Sequence, residues 1–188
     1  MPTLVHEYDW PDRVVIGTVG RPGDRAFYLQ ARTGARCTSV LLEKQQSAAL
    51  ADGIQQLLDH LMTEGGNPFG IPGEAPAGLA DVDPLDQPVE TEFRAGTIRL
   101  SWDPRTAQTV VEVFPVEEER PDDEPDLWDD PADEPEPDDE REVLVVRMPV
   151  GTARAFVERT RTVVRSGRPP CPLCGAPVDP DGHECDLP

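Results

Sequence analysis

The chain has 188 residues and a formal net charge of −20, with 37 % hydrophobic side chains, 22 prolines and 15 glycines. That length suits one domain with a small appendage, and the scarcity of apolar residues among so many chain-breakers predicts that part of it is unstructured. No apolar run approaches the roughly 20 residues of a membrane span, and residues 1–7 lack the basic-then-apolar pattern of an export signal. So acidic a molecule also lacks the phosphate electrostatics of a nucleic-acid binder. The reading is therefore of a cytoplasmic chain.

In chain order, residues 14–20 read as a strand and Arg21, Pro22, Gly23 and Asp24 as the turn after it. Residues 25–31 and 36–42 follow as two more strands. Leu50, Ile54, Leu57, Leu58 and Leu61 recur at helical spacing, predicting an amphipathic helix over 44–63 that Gly65 and Gly66 stop. Residues 64–88, rich in glycine and proline, read as loop. Alternation then predicts strands at 89–94 and 98–102, turning at Gly96, and two more at 108–116 and 142–148. A last helix over 152–166 has Thr152 as N-cap, a stripe through Phe156, Val157, Thr160 and Val163, and Gly167 as its stop.

The order is βββα then ββββα, which predicts an α+β body over 1–166. Its sheet is expected to be antiparallel with both helices on one side. A six- or seven-stranded barrel with two covering helices has the same elements. Residues 167–188 form a separate C-terminal unit.

The charge is uneven. Residues 117–142 hold sixteen acids against Arg120 and Arg141, with five prolines, so 117–141 is expected to be a disordered acidic insert between two strands. Within it only Leu127 and Trp128 form a large apolar pair, which reads as a spacer or as a docking peptide for a basic groove. Residues 147–170 reverse the balance, with six arginines and only Glu158. Arg154, Arg161 and Arg165 are the candidate partner contacts there, for phosphate, an acidic partner or the chain's own acidic insert.

The tail carries Cys171, Cys174, His183 and Cys185 in the pattern C-x2-C-x8-H-x-C. Zinc takes four such ligands tetrahedrally at about 2.0–2.3 Å. The paired cysteines converge in a tight turn, and Asp179, Pro180, Asp181 and Gly182 reverse the chain to bring up the second pair. A full ligand set predicts one structural Zn2+ that folds a zinc ribbon or knuckle and does no chemistry. A disulfide is the alternative, and a nearby Asp or Glu is the alternative to His183. Cys37 reads as a small buried hydrophobe in a strand.

No other constellation is catalytic by spacing. Gly17, Gly20 and Gly23 lead into a strand rather than a helix and lack the lysine of a phosphate loop. His6 is isolated, and His60 near the end of its helix is explained by the helix dipole.

Residues 14–20 (VVIGTVG), 27–32 (FYLQAR), 38–46 (TSVLLEKQQ), 92–97 (EFRAGT) and 167–175 (GRPPCPLCG) together resemble an actinobacterial family, domain of unknown function 3090. The resemblance spans nearly the whole chain and implies a C-terminal zinc ribbon on Cys171, Cys174, His183 and Cys185. It implies no catalytic residue. It also implies genes beside a phosphatidylinositol-kinase-like protein and a phosphomutase-like histidine phosphatase, and a link to a ParA-type ATPase. Function is therefore expected to be that of a zinc-containing protein-interaction module or regulator. The alternative is an enzyme or accessory catalytic subunit.

Overall fold

The computed structural model describes residues 4–21, 23–116, 142–166 and 185. Seven strands and two helices alternate as β1 (Leu4–Asp9), β2 (Arg13–Arg21), β3 (Asp24–Thr33), β4 (Arg36–Leu42), α1 (Lys44–Thr63), β5 (Thr91–Asp103), β6 (Gln108–Pro115), β7 (Glu142–Pro149) and α2 (Val150–Arg165). The order is thus ββββα then βββα, not the βββα then ββββα read from the sequence.

Two features account for the difference. β1 is an additional strand, and the two strands expected around Gly96 are one. Across that position Ala95 faces Pro115 while Ile98 faces Val113, so three steps along β5 match two along β6. An extra residue of this kind is a β-bulge. A Cβ on Gly96 would lie 2.7 Å from the Pro115 carbonyl oxygen, so glycine serves close backbone approach here rather than reversal.

All seven strands join one sheet in the order β1-β7-β6-β5-β4-β3-β2. The sheet is mixed, not antiparallel. The β2–β3–β4 and β5–β6–β7 runs are antiparallel, whereas β4 pairs with β5, and β1 with β7, in parallel. The first parallel pair follows from connectivity, because α1 and the long loop after it return the chain to the end of the sheet it left.

The sheet also curls. Tyr8 of β1, wholly buried, places its hydroxyl 2.7 Å from that of Thr38 in β4, although three strands separate β1 from β4 in the order. Arg36 lies over the same ring at 4.3 Å and donates to the Glu7 carbonyl.

Both helices pack on one face of this sheet. Leu50, Ile54 and Leu58 of α1 and Ala153, Phe156 and Val157 of α2 join a single core with Ile16, Leu29, Val40, Val111 and Val146. Those strand residues alternate with ones on the opposite face, as the pleat requires. α1 has the bounds its leucine stripe predicts, and its first turn is tied by Gln46, whose Oε1 accepts from the Glu43 N–H at 2.8 Å. α2 starts two residues before the predicted cap. Pro149, with φ −64°, is its N-cap instead.

On the reverse face of β2–β4, residues 81–88 lie across the strands. Leu85 packs against Gly17, and the Gln30 side chain exchanges hydrogen bonds with the backbone of Asp86 at 2.8 and 3.1 Å. Asp81 is clamped between Arg13 (Nε to Oδ2, 2.6 Å; Nη2 to Oδ1, 3.0 Å) and Arg159 of α2 (Nη1 to Oδ1, 2.5 Å). The loop of the sequence reading is therefore an ordered strap joining the α2 side of β2 to the sheet's back.

Candidate functional site

The four predicted zinc ligands fall almost wholly outside the described residues. Cys171, Cys174 and His183 are not among them; of the four, Cys185 is described, and it is half-buried. Leu127 and Trp128, with the rest of 117–141, lie outside them too. Cys37 is described and corrects the expectation, since it is exposed near the start of β4 rather than buried. Its side chain belongs to the strap face of the sheet, where partial burial, followed by the charge of Asp86, raises its pKa. His60 is 70 % exposed and faces Glu64 at 3.1 Å one helical turn on, a solvated pair.

The predicted arginines do converge. Arg154, Arg161 and Arg165 recur at steps of seven and four along α2, so they share one helix face. All three line a cavity of about 580 Å³ between α2 and residues 73–75, with Gln55 of α1 on its wall. Their surroundings differ sharply. The Arg154 side chain is 3 % exposed, with Nε donating to the Pro72 carbonyl at 2.8 Å and Nη2 2.8 Å from Asp59 Oδ1. That second contact lacks hydrogen-bond geometry, and Nη1 has no acceptor among the described residues.

Asp59 also accepts from Gln55, whose amide nitrogen reaches both carboxylate oxygens at 3.0 and 2.8 Å. Those hydrogen bonds, with Arg154 adding to them, hold the Asp59 carboxyl below its usual range. Arg161 meets Asp52 at 2.8 Å, and Arg165, at the exposed end of α2, has no ion-pair partner among the described residues. Sequence reasoning located these arginines as a charge run. It missed Asp52 and Asp59, because nothing in their spacing ties α1 to a helix a hundred residues later.

A neighbouring apolar cavity of about 240 Å³ shares Ala75, Glu158 and Thr162 with the first and ends on Val82, which is 93 % exposed. Arg159 is excluded from either role. Its guanidinium is consumed by Asp81, Ile16 and Asp83, and burial lowers its pKa.

His6, isolated in the sequence reading, is not isolated in the fold but belongs to a second cluster. His6 of β1 places Nε2 2.7 Å from Glu142 of β7 and 3.8 Å from Glu92 of β5, the three ligand atoms lying within 4.8 Å of one another. The parallel β1–β7 pairing brings the first two together, which no local pattern announces. One imidazole and two carboxylates suit a divalent cation. No helix among the described residues is long and apolar enough to cross a membrane.

The molecule is thus an α+β protein with a curled mixed sheet and an arginine-lined cavity on its second helix. The chain belongs to the family described as protein of unknown function (DUF3090), whose model matches residues 6–185. No curated protein and no solved structure is detectably similar.

Proposed function

We propose that this chain is a cytoplasmic interaction module that regulates a protein partner, docking an anionic group of that partner on α2. The observation that carries the reading is the convergence of Arg154, Arg161 and Arg165 on one cavity, in a chain whose overall charge is −20. In this reading Cys171, Cys174, His183 and Cys185 hold one structural Zn2+ and fasten the tail as a zinc ribbon. The resemblance directs the search for the partner to a ParA-type ATPase, or to a kinase-like or phosphatase-like protein encoded nearby.

Affinity capture of the tagged chain from its native host, followed by mass spectrometry, tests this. A specific partner should be recovered by the wild type and lost with Arg161→Glu/Arg165→Glu. Equal recovery by both proteins overturns the role of the groove.

The alternative of an enzyme or accessory catalytic subunit rests on His6, Glu92 and Glu142. Calorimetric titration with Mn2+ separates it. Binding that vanishes in Glu142→Gln favours this alternative, and no heat in the wild type removes its basis.

A further inference from the structure

We propose that His6, Glu92 and Glu142 bind a divalent first-row transition cation that staples β1 into the sheet; the proposal goes beyond the interaction reading and shares only its cluster with the catalytic alternative. The three residues come from β1, β5 and β7. His6 Nε2 lies 2.7 Å from Glu142 Oε1 and 3.8 Å from Glu92 Oε1, with all three ligand atoms within 4.8 Å of one another. Two ligands each about 2.1 Å from one ion stand about 3.0 Å apart at a right angle and about 4.2 Å apart when opposed. Side-chain shifts of about half an ångström therefore seat all three on one ion. The side chains are 17 %, 40 % and 22 % exposed for His6, Glu92 and Glu142, so the cluster opens to solvent on its Glu92 side.

Charge sets this cluster apart from the other carboxylates that bridge elements of the fold. Asp81 is held by Arg13 and Arg159, Asp86 by Arg13 and Arg32, and Asp59 by Arg154. Among the described residues Glu92 and Glu142 have no arginine or lysine partner, and the ion-pair partner of both is the imidazole of His6. An imidazole carries at most one positive charge, so two carboxylates around it keep at least one negative charge unbalanced. A divalent ion balances both and takes the place of the hydrogen shared by His6 and Glu142. The two carboxylates alone would also suit Mg2+ or Ca2+, and the imidazole shifts the preference to a first-row transition ion.

The ion would act where β1 is least held. Tyr8 is anchored on Thr38, Asp9 on Gln108, and the Trp10 N–H on the Arg147 carbonyl. Toward the start of the strand Leu4 and Val5 are 52 % and 46 % exposed, and His6 supplies the side-chain bond to β7. β7 adjoins β1, but β5 lies beyond β6, so an ion on all three residues spans strands that no ladder of hydrogen bonds connects.

The test uses the full chain with Mn2+ as the probe, read by the electron paramagnetic resonance signal of the free ion. Mg2+ at about 5 mM is kept present to occupy carboxylates elsewhere in so acidic a chain. Mn2+ is preferred to Zn2+ here because thiolates such as those of the tail select zinc. Saturable binding is expected with Kd about 0.1 mM or tighter, weakened at least about tenfold in His6→Gln, Glu142→Gln and Glu92→Gln. The Glu92 side chain is the most exposed of the three, so its variant keeps the readout valid should the others misfold. Hydrogen exchange of the peptide holding residues 4–9 reads the staple. With Mn2+ at ten times Kd, exchange through opening of β1 should slow about tenfold in the wild type and not in the variants.

Absence of binding up to about 1 mM Mn2+ overturns the site. Binding unchanged in all three variants does so too, because it places the ion on other carboxylates. Mg2+ that competes on equal terms with Mn2+ overturns the choice of cation. Binding that depends on the three residues but leaves exchange over 4–9 unaltered overturns the staple and leaves the catalytic alternative standing. The interaction reading fails separately, through partner capture that survives Arg161→Glu/Arg165→Glu, whatever Mn2+ does.

Discussion

The Nε of Arg159, midway along α2, donates to the carbonyl oxygen of Ile16 at 3.1 Å. Ile16 lies in β2, the last strand of the sheet, and β2 has a neighbour on one side only. An unfilled strand edge invites pairing with another chain. Here a guanidinium supplies a donor at that edge, while its other nitrogens hold the Asp81 and Asp83 carbonyls in place over it. The helix, the strap and the edge strand are thereby one mechanical unit.

Asp81 is the charge that unit depends on. Arg13 and Arg159, with side chains 10 % and 9 % exposed, both pair with it, and the hydrogen bonds from Arg13 hold its carboxyl below the usual range. A carboxylate with a depressed folded pKa contributes stability above its unfolded value near 3.9. That contribution is lost as pH falls through the lower folded value. Asp81→Asn should cost about 2 kcal/mol at neutral pH, allowing for the 27 % of the side chain that water reaches. The gap to wild type in urea unfolding should narrow progressively as pH falls below the unfolded value of about 3.9. A gap that stays constant with pH would assign the loss to shape rather than charge.

Gly17 and Leu85 should be thermodynamically coupled. A Cβ at residue 17 would lie 2.5 Å from Leu85 Cγ, and Leu85 is buried. Gly17→Ala should therefore destabilise by about 1–3 kcal/mol, and Leu85→Ala by about 2–4 kcal/mol. In the double variant the new methyl occupies space the leucine has left, so the combined loss should be less than the sum by at least about 0.5 kcal/mol. Simple additivity in chemical denaturation would show that the strap does not rest on the strand.

The thiol of Cys37 should be accessible but slow. Its raised pKa leaves less thiolate near neutrality than a free cysteine has, and thiolate is the reactive form. Pulsed iodoacetamide labelling at about pH 7.5, resolved by peptide mass spectrometry, should give a rate below that of a model thiol. Asp86→Asn removes a charge that raises the pKa, so it should speed the reaction. A slower Asp86 variant would reverse the sign of that argument.

Zinc content tests the tail directly. The purified chain is expected to carry about one zinc by elemental analysis, and Cys174→Ser to lose most of it, since metal binding supplies the folding energy of so small a unit. Metal-free wild type purified without chelator would remove the zinc proposal.

The parts of the fold legible in the sequence are those whose partners are near in the chain. The stripe from Leu50 to Leu61 marks one face of α1, and the same residues form its buried side. The β2–β3–β4 run is readable because its hairpins close over short turns. β1 was not legible, since its partner is β7 and parallel pairing leaves no turn to announce it. Gly96 was misread for a related reason: a glycine between alternating segments marks reversal or close approach, and only the neighbouring Pro115 decides which. At the candidate site, residue type and helical spacing placed Arg154, Arg161 and Arg165 together. The burial of Arg154 depends on Asp59 and Pro72, which come from elsewhere in the chain.

The register that runs from Leu4 opposite Glu142 to Asp9 opposite Arg147 has a consequence during synthesis. Among the described strands the first in the chain, β1, is completed by the last, β7. At translation rates of about 5–20 residues per second, β1 stays without its mate for on the order of 10 s. Throughout that interval Leu4, Val5 and Tyr8 have no strand to pair with, and β1 joins the sheet only once β7 has emerged.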